Sequence, residues 1–225
     1  AEKEADIILW DGGNNDMPFY KPDLAIVVTD PHRPGHELSY YPGETNLMMA
    51  DAVVINKIDT ADPKDVDTVH QNIQNVNPGA VVIEGASPIT VENSSLIEKK
   101  KVLVVEDGPT LTHGGMKIGA GMVAAEKFGA AEIVDPRPYL VGKLRETFNQ
   151  YPNIGTLLPA MGYGSEQIKD LETTINNTEC DVVIVGTPID LRRIIDIKKP
   201  SVRVTYDLQE IGSPTVTDIL APYIE

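Results

Sequence analysis

Cysteine is nearly missing from this sequence: Cys180 is the only one in 225 residues. One thiol cannot close an intrachain bridge, so no disulfide framework holds the fold, and this usage matches a reducing cytoplasm. Positive charge is also short, with 19 Lys and Arg against 34 Asp and Glu and a formal net charge of −15. Non-specific nucleic-acid binding and anionic-membrane binding both need a cationic face, so neither is expected here. A local basic pocket for a phosphate remains compatible with that balance. No apolar run approaches the ~18–20 residues of a membrane span, and no signal peptide is visible. A starting methionine is absent as well: the chain opens at Ala1, with strand-like sequence inside six residues, as a piece of a longer protein would. Finally, no Gly-x-x-x-x-Gly-Lys-[Ser/Thr] loop occurs; neither Gly142-Lys143-Leu144 nor the glycines from Gly114 to Gly121 fit it. That loop is the usual backbone cradle for β- and γ-phosphates.

What is present is one theme, repeated. Short apolar runs end in turns rich in Gly, Pro, Asp or Asn: Asp6–Trp10, Leu24–Thr29, Ala52–Ile55, Ala80–Ile83, Val102–Val105, Glu132–Val134, Ile154–Leu158, Asp181–Val185 and Val202–Tyr206. Helix-compatible segments separate several of them: Pro63–Asn75, Gly119–Phe128, Tyr139–Asn149, Ser165–Asn176 and Ile189–Ile195. Strands alternating with helices predict an α/β fold with a mainly parallel sheet and helices on both faces. Near-continuous apolar strands agree with full burial. The theme restarts at Lys99, which places a boundary near residue 98 and divides the chain into 1–98 and 99–225. At 225 residues the chain can bury a sizeable core.

Polar residues collect just after the strands, on the edge where open α/β sheets bind ligands. The sharpest case is Asp51–Ala61, where a β-branched run ends in Asn56, Lys57 and Asp59. Asn-Lys-x-Asp there suits a guanine base. Asp59 can accept from the ring N–H and exocyclic amine, Asn56 can bond the base edge, and the Lys57 stem can lie along the ring. A strand followed by an ordinary polar turn is the plainer alternative.

Other strand ends carry candidates of the same kind. Asp11-Gly12-Gly13 follows the first run; a carboxylate leading into glycine suits a magnesium–water and γ-phosphate sensor, and equally a glycine-rich turn. Asp30-Pro-His-Arg-Pro-Gly-His-Glu37 gathers His32, Arg33, His36 and Glu37 within eight residues stiffened by two prolines. Arg33 can clamp a phosphate, and the histidines can act as acid, base, phosphate donor or metal ligand, or the stretch is a rigid polar loop. Glu44 is a weaker candidate. Ser87 sits in a small-residue loop able to offer backbone N–H groups to a purine carbonyl. The stretch Glu106–Met116 is long for a connector, and Thr112, His113, Gly114 and Gly115 are its candidates, against a lid without chemistry. The helix after it, from Met122, has an N-terminus able to hold an anion. Arg137 stands between two prolines; Gln167 and Lys169 on the helix from Ser165 could complete a further anion pocket; and Thr187 and Pro188 suit the start of a helix. Arg192 and Arg193 are either surface residues or phosphate contacts.

Seven segments together resemble one family: Asp11–Asp16, Asp30–Glu37, Ile55–Asp59, Val105–Gly114, Asp135–Pro138, Leu158–Tyr163 and Gly186–Leu191. They look like the C-terminal half of the archaeal and bacterial predicted GTPases commonly called cyclic 2,3-diphosphoglycerate synthetase-like proteins. The resemblance spans nearly the whole chain. It implies a P-loop NTPase-like domain of the class that includes metallochaperone GTPases, followed by a family-specific α/β region. It also implies an ATP- or GTP-dependent ligase that uses Mg2+ to close an intramolecular phosphoanhydride in a small phosphorylated acid. Under that reading Asp11 holds the metal, and Asp11, Arg33, His36, His113 and Arg137 do the chemistry. Gly12, Gly13, Asn56, Lys57, Asp59 and Ser87 bind nucleotide, and His32, Glu37, Thr112, Gly114, Gly115 and Arg192 bind the phosphorylated metabolite. A GTPase switch, a metallochaperone-type GTPase and a metabolite-binding half are the alternatives. Family members carry the phosphate loop upstream, so an N-terminal segment or a separate subunit is expected to supply it, and this chain alone is not expected to turn over. A cytoplasmic homo-oligomer is expected.

Overall fold

In the structure, a computed structural model that describes residues 3–12, 16–108, 119–162 and 164–224, the chain forms two compact units. One comprises Ala1–Pro88 with Asp207–Glu225, the other Ile89–Tyr206. The sequence reading placed the division near residue 98 and kept the C-terminus with the second region. The chain instead divides after Pro88 and returns at Asp207, because Gln209–Ile211 pairs with a strand of the first unit.

The first unit is built on three parallel strands, β1 (Ile26–Thr29), β2 (Ala52–Ile55) and β3 (Val81–Ala86). Their registers match Val27 to Val53 and Val53 to Val82. Helices α1 (His36–Ser39) and α2 (Gly43–Met49) connect β1 to β2, and α3 (Pro63–Val76) connects β2 to β3. Helix α3 starts where Asp62 accepts the Lys64 N–H at 2.9 Å and Pro63 takes the first turn, where its missing N–H costs nothing. It ends at Asn77, whose side-chain amide donates to the Leu47 and Ala50 carbonyls at 2.9 and 2.8 Å and ties α3 to the end of α2. Leu47, Val53, Ile55, Val69 and Ile73 form the core between sheet and helices, each large side chain there contributing about 1.5–3 kcal/mol on leaving water.

The second unit is centred on strands buried along both faces. Its order is β4 (Ile89–Val91), β9 (Ser201–Tyr206), β8 (Val182–Val185), β5 (Lys101–Asp107) and β6 (Glu132–Ile133), with β7 (Leu158–Ala160) also on β5. All pairs are parallel except β4 with β9. Helix α4 (Ala120–Lys127) packs on β4, β5, β8 and β9. Helices α5 (Lys143–Gln150) and α6 (Ser165–Asn177) pack on one another and send Leu144, Phe148, Leu171 and Ile175 into the core. The fold is therefore α/β with mainly parallel sheets, as the strand–helix alternation predicts.

Several local expectations differ. Asp6–Trp10 forms no strand and is exposed throughout, with no ladder partner among the described residues. Ile154–Leu158 is not a strand: Pro152–Ile154 is a 3-10 turn and the strand begins at Leu158. Ile189–Ile195 yields only a 3-10 turn at Leu191–Arg193, capped by Asp190; Thr187 hydroxyl donates to the Ile189 carbonyl at 2.6 Å and so closes a turn instead of capping a helix. Strand β10 (Gln209–Ile211), antiparallel to β3, and helix α7 (Val216–Ile224) were not foreseen. Among the described residues, no helix is long and apolar enough to cross a membrane.

Candidate functional site

The loops after β1, β2 and β3 meet at one corner of the first unit. Two backbone hydrogen bonds carry the pairing past the strand ends: Asn56 N–H to the Thr29 carbonyl at 3.0 Å and Ile58 N–H to the Gly85 carbonyl at 3.1 Å. Between them Lys57 adopts a left-handed conformation, φ +61°, which costs a non-glycine residue on the order of 1 kcal/mol or more. The conformation is held from both ends. Lys57 N–H donates to Asn56 Oδ1 at 2.9 Å, and Lys57 Nζ reaches Asp30 Oδ2 at 2.7 Å. The Asp59 carboxylate accepts the Ser87 N–H at 2.9 Å, so the β3 loop orients the acidic member of Asn-Lys-x-Asp.

Asp30 is the hub. Burial pushes its carboxyl up, but Lys57, the His32 N–H and Arg33 outweigh this and hold it below the usual range. Arg33 lies 3.5 Å away and His32 N–H donates at 3.1 Å, while the His32 ring Nε2 sits 2.9 Å from the Thr60 hydroxyl. The corner therefore assembles Asn56, Lys57, Asp59, Ser87, His32 and Arg33, with Asp59 open to solvent. A carboxylate acceptor and an amide on a rigid support are what the edge of a guanine requires.

The remaining candidates of this unit stand differently. His36 packs edge-on to Tyr40, ring centroids 5.0 Å apart. Glu37 accepts from Asn72 Nδ2 at 2.7 Å and from the Gly35 N–H at 2.9 Å, joining α1 to α3. Asp11 and Gly12 are exposed on the strandless 3–12 segment, and Gly13 lies outside the described residues. Among the described residues no three His, Cys, Asp or Glu side chains gather to hold a metal. Magnesium asks less of a protein, one or two carboxylates with phosphate oxygens, and the exposed Asp11 carboxylate fits that demand.

In the second unit the arginine candidates Arg137 and Arg192 are engaged, and Arg193 is exposed. Arg137 Nε donates to Asp135 at 2.9 and 2.8 Å. The Arg192 fork joins Glu92 at 2.7 and 2.8 Å and Asp190 at 2.8 Å through both Nε and Nη2, which holds both carboxyls below their ordinary values. Thr112, His113, Gly114 and Gly115 lie outside the described residues.

One group was missed. Glu106, at the end of central strand β5, is buried, and its Oε1 accepts the Met122 N–H at 2.9 Å, with a second bond from the Gly121 N–H. Burial drives its carboxyl up to about 7, against the pull of those two N–H groups. A Cβ on Gly119, Gly121 or Gly186 would lie 2.4, 3.0 or 2.7 Å from the carboxylate atoms, so three glycines from different segments make room for it. The α4 N-terminus, expected to hold an external anion, is occupied by this carboxylate instead. The available signal was an acid closing a buried apolar strand, with glycines at the start of the following helix and after a neighbouring strand.

Comparison with known proteins bears on the first corner. Over 220 residues the chain is 66% identical to a protein of Thermococcus kodakarensis named Arginine synthetase ArcE, covering 98% of this chain and 49% of that protein. The chain thus spans about half the length of the curated relative it matches. Residues 14–84, which include β1, β2 and the Asn56–Asp59 turn, match the CobW/HypB/UreG nucleotide-binding domain.

Proposed function

We propose that this chain carries the base-reading part of a nucleoside triphosphate-dependent synthetase. The observation that supports this most is the Asn56–Asp59 turn, held by Asp30 and the Ser87 N–H at a strand-end corner inside the matched nucleotide-binding domain. Asp59 accepts from the N–H groups of guanine, Asn56 takes the base edge, and Lys57, pinned at its ammonium by Asp30, lays its stem along the ring. Asp11 would hold Mg2+, which when bound offsets phosphate charge. Arg33 and His32 bring positive charge and hydrogen-bond donors toward an anionic group. The phosphate cradle comes from sequence outside this chain.

For the reaction, the synthetase class is carried over from the Thermococcus kodakarensis relative. The γ-phosphoryl group passes to an oxygen of the acceptor, releasing nucleoside diphosphate, and an incoming nucleophile displaces that oxygen as inorganic phosphate; ammonia as the nucleophile, giving up a proton, makes arginine. The phosphoanhydride closure implied by the first resemblance shares the activating step, with a phosphate oxygen as nucleophile. Full-length protein incubated with γ-labelled GTP or ATP separates them. An amino-acid precursor lacking one guanidinium nitrogen, with ammonium, should give arginine, whereas 2,3-diphosphoglycerate should give a cyclic product. Triphosphate cleavage stimulated by neither acceptor removes the synthetase reading. It leaves the GTPase reading, which the CobW/HypB/UreG match favours.

Base recognition has its own test. Asp59→Asn replaces one acceptor by a donor, which suits xanthine better than guanine, so the preference for GTP should fall about tenfold or more while XTP gains. An unchanged guanine-over-adenine preference refutes the assignment of Asp59.

A further inference from the structure

The segment that carries Asp11 needs a support that its own backbone does not supply. Residues 6–12 form no strand, and among the described residues they have no ladder partner. Asp11 and Gly12 are exposed. A carboxylate that meets a metal must still be held in place, since affinity falls when the groups behind a ligand let it wander.

Asp16 returns to this point. A Cβ built on Gly12 would lie 3.5 Å from the Asp16 β-carbon and 3.7 Å from the Trp10 indole nitrogen, so Asp16 rests against the residue next to Asp11. Trp10 in turn meets Tyr20 edge-on, with ring centroids 5.9 Å apart. Asp16 is fixed from outside as well: Asn46 Nδ2, on α2, donates to its backbone carbonyl at 2.9 Å. One residue on, the Tyr41 hydroxyl lies 3.6 Å from the Met17 sulfur.

Helix α2 is a firm base for that bond. Leu47, beside Asn46, is fully buried, and Asn77 at the end of α3 holds the Leu47 and Ala50 carbonyls. The Asn46 amide can face only one way, because a carbonyl at 2.9 Å requires the donor. Its Oδ1 is then left buried, without a partner among the described residues. A bare buried acceptor is costly, and packing alone gives no reason to keep an amide there. The donor half is the reason.

We propose that Asn46 is a positioning residue for Asp11: through the Asp16 carbonyl it holds Asp16 against Gly12, and thereby places the neighbouring carboxylate for the Mg2+ of a bound triphosphate. This assignment rests on the nucleotide reading above and adds to it a residue outside the Asn56–Asp59 corner. The connection from β1 to β2 then serves both ends of the nucleotide. It starts at Asp30, which holds Lys57 of the base-reading turn, and it closes with α2, which holds Asp16.

The test uses the full-length protein with a non-hydrolysable GTP analogue, and Mn2+ as the probe of the Mg2+ position. Bound metal is read from the loss of the free-ion EPR signal. Asn46→Ala should weaken Mn2+ binding about tenfold. It should leave unchanged the analogue's affinity without metal, the guanine-over-adenine preference and the melting temperature. Asn46→Asp separates positioning from charge. An added carboxylate near the metal tightens Mn2+ binding if charge is all that matters. If Asn46 positions, an oxygen set against the Asp16 carbonyl pushes Asp16 away and weakens binding at least as much as alanine does. Parent-like Mn2+ binding in Asn46→Ala overturns the proposal, and so does tightened binding in Asn46→Asp. Loss of the base preference together with the metal effect also overturns it, because that marks general damage to the unit. A parent that binds no triphosphate removes the nucleotide reading and this assignment with it. A parent that binds triphosphate while both variants keep its Mn2+ affinity removes the assignment alone.

Discussion

Each unit places a carboxylate at the end of a parallel strand, and the two treat it in opposite ways. In the first, Asp30 and Asp59 at the strand-end corner have partners of opposite charge or polarity, Lys57 and the Ser87 N–H, and Asp59 is open to water. In the second, Glu106 is enclosed by three glycines and bonded by two α4 N–H groups, and among the described residues the positive end it faces is that of a helix. A helix terminus carries about half a charge, and a buried carboxylate needs more than that to stay ionised. So one corner holds the Asp30 carboxyl below its ordinary value, and the other raises a carboxyl to about 7. Ion pairing, more than position at a strand end, sets which role a carboxylate takes.

The largest predicted effect would break this contrast outright. Glu106 rises from 4.5 to about 7 on folding, so its contribution to stability is complete below pH 4.5 and is lost as pH climbs through 7. At about 1.4 kcal/mol per pH unit the swing is about 3 kcal/mol. Glu106→Gln removes the proton and with it that slope. Urea titrations of both proteins from pH 4.5 to 8 should show the variant gaining on the parent across this window. Parallel curves would mean that Glu106 is as ionised as the exposed acids. Next in size is the cavity itself: Gly186→Ala sets a Cβ 2.7 Å from the Glu106 carboxylate and 2.8 Å from the Gly121 nitrogen. One neighbour is backbone and cannot swing away, so a loss of about 1–3 kcal/mol is expected in the same denaturation assay.

These two corners were not equally legible. Asn-Lys-x-Asp is written in four consecutive residues after an apolar run, so the first corner could be named from the sequence. Glu106 shows in the sequence only as an acid closing an apolar strand, because its cradle is drawn from residues 119, 121 and 186, which only the fold brings together. The same distinction runs through the elements. Apolar β2, β5 and β8 declare themselves, whereas β10, Gln-Glu-Ile, exists only because β3 offers it an edge. Asp6–Trp10 fails in the other direction: it has the composition of a strand and, among the described residues, no ladder partner. Arg192 looked available as a phosphate contact because Glu92, its clasp, lies 100 residues away in the sequence.

Smaller effects sharpen the role of ion pairs. Arg192→Lys keeps the charge but loses the planar fork that spans Glu92 and Asp190, for a cost of about 1 kcal/mol by chemical denaturation. An unaltered melt would reduce the clasp to a surface contact.

Lys57→Met should cost least in stability, about 1 kcal/mol or less, since the Lys57 side chain is 35% exposed and water screens its pairing with Asp30. Its value lies in the titration of Asp30. Burial alone raises that carboxyl, and Lys57 leads the groups that reverse the sign. In the parent, Asp30 therefore stabilises the fold above its ordinary value of 3.8 and loses that contribution as pH falls through the lower, folded one. Without Lys57 the burial is opposed only by the His32 N–H and the more distant Arg33, so the Asp30 carboxyl should move upward, toward the behaviour of Glu106. NMR titration of the Asp30 side chain reads this directly. A rise would show the first corner turning toward a version of the second once Lys57 is removed, and an unmoved Asp30 would show that the His32 N–H and Arg33 suffice to keep this carboxylate charged.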